Sequence, residues 1–133
     1  MNEVDPLPPL SQAQLEIMNV VWERGDVTVA DVWKTLSHQR KVARNTILTM
    51  LTRLEEKGWL VRDDQGHTHR YSAAVPREAT MGTMIKNLVE SAFGGSAEGL
   101  MMALIHGRGV SKEEAARIRL MIDQAEARKG RKS

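Results

Sequence analysis

The chain has 133 residues, 41% hydrophobic and 27% charged, a length that suits one compact domain with an appendage and excludes two full-sized independent cores. It has no cysteine, which excludes disulfides, thiolate metal sites and thiol catalysis; no run approaches the roughly 18 apolar residues of a membrane span, so a cytoplasmic protein is expected. The net charge of +2 hides an asymmetry: no acidic residue lies between Val32 and Leu54, whereas Lys34, Arg40, Lys41, Arg44 and Arg53 all do, a positive field suited to a polyanion.

Pro6, Pro8 and Pro9 mark a flexible leader over 1–10. Ser11 then reads as a helix N-cap, with Gln14 closing a capping box and Leu10 placed to staple onto Leu15. Leu15, Met18 and Trp22, flanked by Ile17 and Val21, form the apolar stripe of a first helix that ends at Gly25. Thr28 and Asp31 repeat the same grammar for a short second helix that buries Val29, Val32, Trp33 and Leu36. After a polar turn, a third helix is predicted from about Ala43 to Lys57, with Ile47, Leu51 and Leu54 inward. Asn45, Thr46, Leu48, Thr49, Thr52 and Arg53 lie on its other face. Two strand-like runs follow, Trp59 to Arg62 and His67 to Ala73, joined by Asp63-Asp64-Gln65-Gly66 as hairpin turn chemistry. The fold class expected is mostly α with a small β-hairpin wing: a winged helix-turn-helix domain over 11–75 and a C-terminal helical dimerisation region over 76–127.

That second region reads as three helical pieces. Met81, Met84, Ile85, Leu88, Ala92 and Phe93 line the first, which breaks at Gly94-Gly95; Leu100, Met101, Leu104 and Ile105 line the second. A capping box from Ser111 to Glu114 opens the third, where Ala115, Ile118, Ile122 and Ala125 stand at near-heptad spacing. A stretch of about 55 residues in this form encloses no stable core alone, so Met81, Met84, Ile85, Leu88, Leu104, Ile118 and Ile122 are expected to face a second copy. Residues 128–133 read as a disordered basic end.

The stretches LSQAQLEIMNVVW (10–22), NTILTMLTRL (45–54) and KGWL (57–60), with weaker HRYS (69–72) and VSKEE (110–114), together resemble the BlaI/MecI family of penicillinase repressors. The resemblance implies a repressor whose homodimer binds two-fold operator DNA and controls β-lactam resistance or similar stress genes. It also implies inactivation by cleavage through a membrane-sensor metalloprotease pathway, with the cleaved bond aligning with Ala103-Leu104; the alternative is that these two residues are only apolar core. Relatives often carry Ser at the position of Ala43, so the third helix here should start without its cap. Relatives often carry a basic or polar residue at the position of Leu48, which in this chain can pack only on a thymine methyl. The residues expected at DNA are Lys41, Arg44, Asn45, Thr46, Leu48, Thr49, Thr52 and Arg53, with Arg62 and Arg70 from the wing, while Asp63 and Asp64 at its tip would repel phosphate.

His67 and His69 would share a face if both sat on a strand, but no further ligand lies near them in sequence, so no metal and no cofactor are expected. No paired carboxylates, nucleophile elbow or phosphate loop is present, and catalysis is not expected. Two other readings stay open: a winged-helix regulator with a small-molecule effector in its tail, and a winged helix that serves as a protein-interaction module.

Overall fold

A computed structural model of the chain describes residues 7–132, with side chains for residues 7–130. The leader residues before Leu7, and Ser133, lie outside the described residues. The chain divides into two units, the first ending at Gly82 and the second beginning at Thr83.

In the first unit, α1 (Gln12–Arg24), α2 (Val29–Ser37) and α3 (Arg44–Glu56) alternate with β1 (Asp26–Val27), and β2 (Leu60–Asp63) and β3 (Arg70–Ala73) follow. Both expected capping boxes are present. Gln14 N donates to Ser11 Oγ at 3.1 Å and Ser11 N to Gln14 Oε1 at 2.9 Å; Asp31 N donates to Thr28 Oγ1 at 3.1 Å and Thr28 N to Asp31 Oδ2 at 3.0 Å. Each box satisfies two N–H groups, one of them among those the first turn leaves without a partner. At α3 the extended N-cap residue is Ala43, and no side chain caps the helix.

The three helices close on one apolar cluster. Ile17, Met18 and Val21 of α1 meet Val32 and Leu36 of α2 and Ile47, Leu51 and Leu54 of α3, with Val27, Trp59, Leu60 and Tyr71 from the strands. The 3.6-residue periodicity of each helix puts these side chains on one stripe.

The wing has one strand more than a hairpin. The sheet order is β1-β3-β2, all antiparallel, with Val27 opposite Tyr71 and Arg62 also opposite Tyr71. Tyr71 thus lies at the centre of the sheet, and its side chain is fully buried. β3 starts at Arg70 rather than His67, so the hairpin strands are shorter than the sequence pattern suggested.

The leader is a second correction. Leu7 and Leu10 pack against the core, and the Trp59 indole Nε1 donates to Pro8 O at 3.1 Å. Gly58, at φ +94°, lets the backbone turn out of α3, and a Cβ there would stand 3.1 Å from Leu7 Cδ2. Residues 7–10 are therefore held in place, where a flexible segment was expected. The other two tryptophans act in the same way: Trp22 Nε1 donates to Val75 O and Trp33 Nε1 to Val42 O, both at 2.9 Å.

α4 (Arg77–Ala92) begins in the first unit, so the division falls inside a helix rather than at Pro76. The second unit comprises the rest of α4, α5 (Ala97–Gly107) and α6 (Lys112–Lys132). Gly94 and Gly95, at φ +58° and +86°, make the 93° bend between α4 and α5 with conformations that side chains oppose. α6 opens with Glu114 N donating to Ser111 Oγ at 3.1 Å, but the expected box is only half formed. The Glu114 carboxylate turns instead to the Arg108 guanidinium at 3.3 and 3.4 Å.

α6 also runs on to Lys132, through the stretch expected to be disordered. Its acidic first turn, with Glu113 and Glu114, complements the helix dipole. Among the described residues, no single helix is long and apolar enough to cross a membrane.

Candidate nucleic-acid interface

The polar face of α3 is where the sequence pattern placed it. Ile47, Leu51 and Leu54 are buried, while Arg44, Asn45, Thr46, Leu48, Thr49 and Arg53 are exposed. Leu48 leaves 41% of its surface open on a face otherwise made of short polar groups. Thr52 is half-buried, and its Oγ1 donates to Leu48 O at 2.9 Å, so its hydroxyl hydrogen is engaged within the helix.

The approach to α3 is braced by Trp33. Its indole N–H holds Val42 O, and the Arg44 guanidinium lies 5.6 Å from the ring centroid, within cation–π range. One α2 side chain thereby fixes both the turn and the first residue of α3.

The cations divide into two groups. Lys41, Arg44 and Arg53 have no carboxylate partner among the described residues, and they flank the polar face at its start and end. Arg40, Arg62 and Arg70 are engaged. Arg40 Nη2 stands 2.7 Å from Glu16 Oε1 of α1, an oxygen shielded from solvent, and this contact holds the Glu16 carboxyl below its ordinary value. Arg62 Nε is 3.0 Å from Asp64 Oδ1, and its Nη1 is 3.7 Å from Glu55 Oε1.

Arg70 makes a fork to Asp26, Nε to Oδ2 at 3.2 Å and Nη2 to Oδ1 at 3.1 Å. That hydrogen bonding, together with the guanidinium charge, lowers the Asp26 carboxyl pKa. Asp26 was not foreseen, because a strand of two residues is too short to show any alternation.

His67 and His69 do not share a strand face, since both precede β3. His69 Nδ1 instead lies 2.7 Å from Asp64 Oδ1 at the wing tip. Among the described residues no group of three His, Cys, Asp or Glu side chains could hold a metal.

Three helices around one core, the third with an acid-free polar face over its first turns, and a sheet folded against them define a winged helix-turn-helix DNA-binding protein. The comparisons are specific. Residues 10–124 match the penicillinase repressor family, and the chain belongs to it. It is 24% identical over 123 residues to the penicillinase repressor of Bacillus licheniformis, covering 92% of this chain and 96% of that one. It is 23% identical over 115 residues to the methicillin resistance regulatory protein MecI of Mammaliicoccus sciuri, covering 86% and 94%.

Among solved structures, the DNA-binding domain of the repressor BlaI is 32% identical and covers 56% of this chain and 90% of its own, at a TM-score of 0.50. MarR of E. coli, at 18% identity, shares the fold over 87% of this chain and 77% of its own at a TM-score of 0.51. The protein is a DNA-binding transcriptional repressor and not an enzyme.

Proposed function

We propose that the protein is a cytoplasmic homodimeric repressor that lays α3 of each copy in the major groove of one half of a two-fold operator. The observation that carries this is the acid-free face of α3, flanked by Lys41, Arg44 and Arg53. Asn45 suits adenine, Leu48 suits a thymine methyl, and Thr46 and Thr49 suit base edges or phosphates. Of the wing cations expected at DNA, Arg62 and Arg70 are both held by carboxylates in the free chain, so α3 and its flanking cations carry the contact.

Pairing runs through the second helical region. Ile85, Leu88 and Ile122 leave 49%, 42% and 57% of their surfaces open in the single chain, and Met84 and Leu104 are also exposed. Met81 and Ile118 are half-buried. Joining two half-site readers makes the second engagement intramolecular and multiplies affinity without new contacts.

The regulated genes belong to β-lactam resistance or a related stress response, as the names of the relatives suggest, and release comes by proteolysis in a membrane-sensor protease pathway. The bond Ala103-Leu104 lies on an exposed face of α5, between the Gly94-Gly95 bend and Gly109. A short helix with such ends opens at low cost, which is what a protease needs.

Two measurements test this reading. Binding to duplexes from upstream of the chain's own gene should weaken with salt at a logarithmic slope of about −5, if Lys41, Arg44 and Arg53 of both copies each neutralise a phosphate. Cells treated with a β-lactam should lose the intact chain by mass spectrometry. Derepression with the chain still full length would remove the proteolytic step.

A further inference from the structure

We infer that Arg70 is a positioning residue whose forked bond to Asp26 fixes the wing on β1, and that the wing takes no phosphate through Arg70 while that bond holds. The inference rests on the DNA-binding reading of α3 and reassigns one residue within it.

The geometry begins in the sheet register. Asp26 stands opposite Ser72, so Arg70, two residues earlier on the same face of β3, is its diagonal neighbour, a spacing that a long side chain spans. The two N–H···O contacts at 3.2 and 3.1 Å use both carboxylate oxygens, and this fork constrains orientation as well as distance. β1 follows directly from α1 and leads into α2, so the clamp ties the wing to the segment that carries the helix-turn-helix.

Charge argues the same way. Asp31 and Asp63 add to the field of Asp26 at Arg70. On β2, Arg62 is matched by Asp64 and Glu55. A phosphate reaching Arg70 would have to displace Asp26 and would then face the freed carboxylate, so one anion would replace another with added repulsion. An exposed ion pair contributes little to stability, and its effect here is on where the wing points.

The full-length chain is titrated with a random-sequence 24-base-pair duplex over a range of salt, because the slope counts neutralised phosphates without knowledge of the operator. Arg70→Gln should leave the slope unchanged. Asp26→Asn, which removes the charge and one of the two acceptor oxygens and so breaks the fork, should steepen it by about 0.9 per chain. In the protein alone, the Arg70 Nε–Hε resonance should be sharp and shifted in the wild type, lost in Asp26→Asn and retained in Asp26→Glu, and it should persist when duplex is added.

A slope flattened by about 0.9 in Arg70→Gln overturns the inference by making Arg70 a phosphate contact. So does an unchanged slope in Asp26→Asn, which also covers the case of a poorly folded Arg70 variant. If the wild type binds without salt dependence, the DNA-binding reading of α3 fails. The clamp then stands or falls on the Nε–Hε signal, and its insensitivity to Asp26→Asn sinks it.

Discussion

Replacing Ala43 by Ser should stabilise the protein, although it touches no core residue. Ala43 is the N-cap of α3 at φ −80° and ψ 145°, close to Ser11 at −70° and 167° and Thr28 at −98° and 169°, which do cap their helices. Ala43 is exposed, so a hydroxyl has room. The added oxygen would accept from Thr46 N, which now reaches only Ala43 O at 3.1 Å. A cap of this type contributes about 1 kcal/mol. For a cooperative unit of the size ending at Gly82, that corresponds to a rise in Tm of about 4 to 8 °C.

Thermal unfolding followed by circular dichroism measures the effect, with Ser11→Ala and Thr28→Ala as the same perturbation in the opposite direction. If both alanine variants melt several degrees lower while Ala43→Ser stays within about 1 °C of the wild type, the cap argument for α3 is wrong.

Arg53→Ala should weaken operator binding by about 1 to 3 kcal/mol, roughly 5- to 150-fold, in a titration at fixed salt with folding intact. Leu88→Asp should give monomers by sedimentation and lose tight operator binding together; a wild-type monomer at tens of micromolar would end the pairing argument. Acid sensitivity has a definite sign. Glu16 and Asp26 titrate below their ordinary 4.5 and 3.8 in the folded chain because Arg40 and Arg70 bind their charged forms. The unfolded chain therefore takes up protons first, and stability present above pH 4.5 should fall as the pH drops through these lowered values. Asp26→Asn should flatten the dependence of Tm on pH in that acid range.

Helices were legible in the sequence because apolar spacing marked each one, and at α1 and α2 the caps agreed with it. Ser11 with Gln14 and Thr28 with Asp31 are local devices, set by residues three apart, and nothing distant had to be known. The inward line of α3 was legible for the same reason, and with it the outward face. The rest depended on contacts across the chain.

β1 has two residues and gains its identity only by pairing with β3, so Asp26 could not be connected with Arg70. The wing cations looked like phosphate ligands until their partners in space were known. Glu114 could cap its own helix or bind Arg108, and sequence spacing favoured the first. The basic end of α6 read as frayed, although Ala125, Glu126, Ala127, Arg128 and Lys129 are all good helix formers.

The three indoles are also three built-in optical probes. Each reports a different joint: Trp59 the leader at Pro8, Trp33 the turn before α3 at Val42, and Trp22 the exit toward α4 at Val75. Indole emission moves to the red when water reaches the ring, so an opening confined to one joint would leave the other two signals in place. Variants that keep a single tryptophan, with the others replaced by phenylalanine, would turn the order in which these joints yield, under heat, acid or protease, into a sequence of separately timed colours.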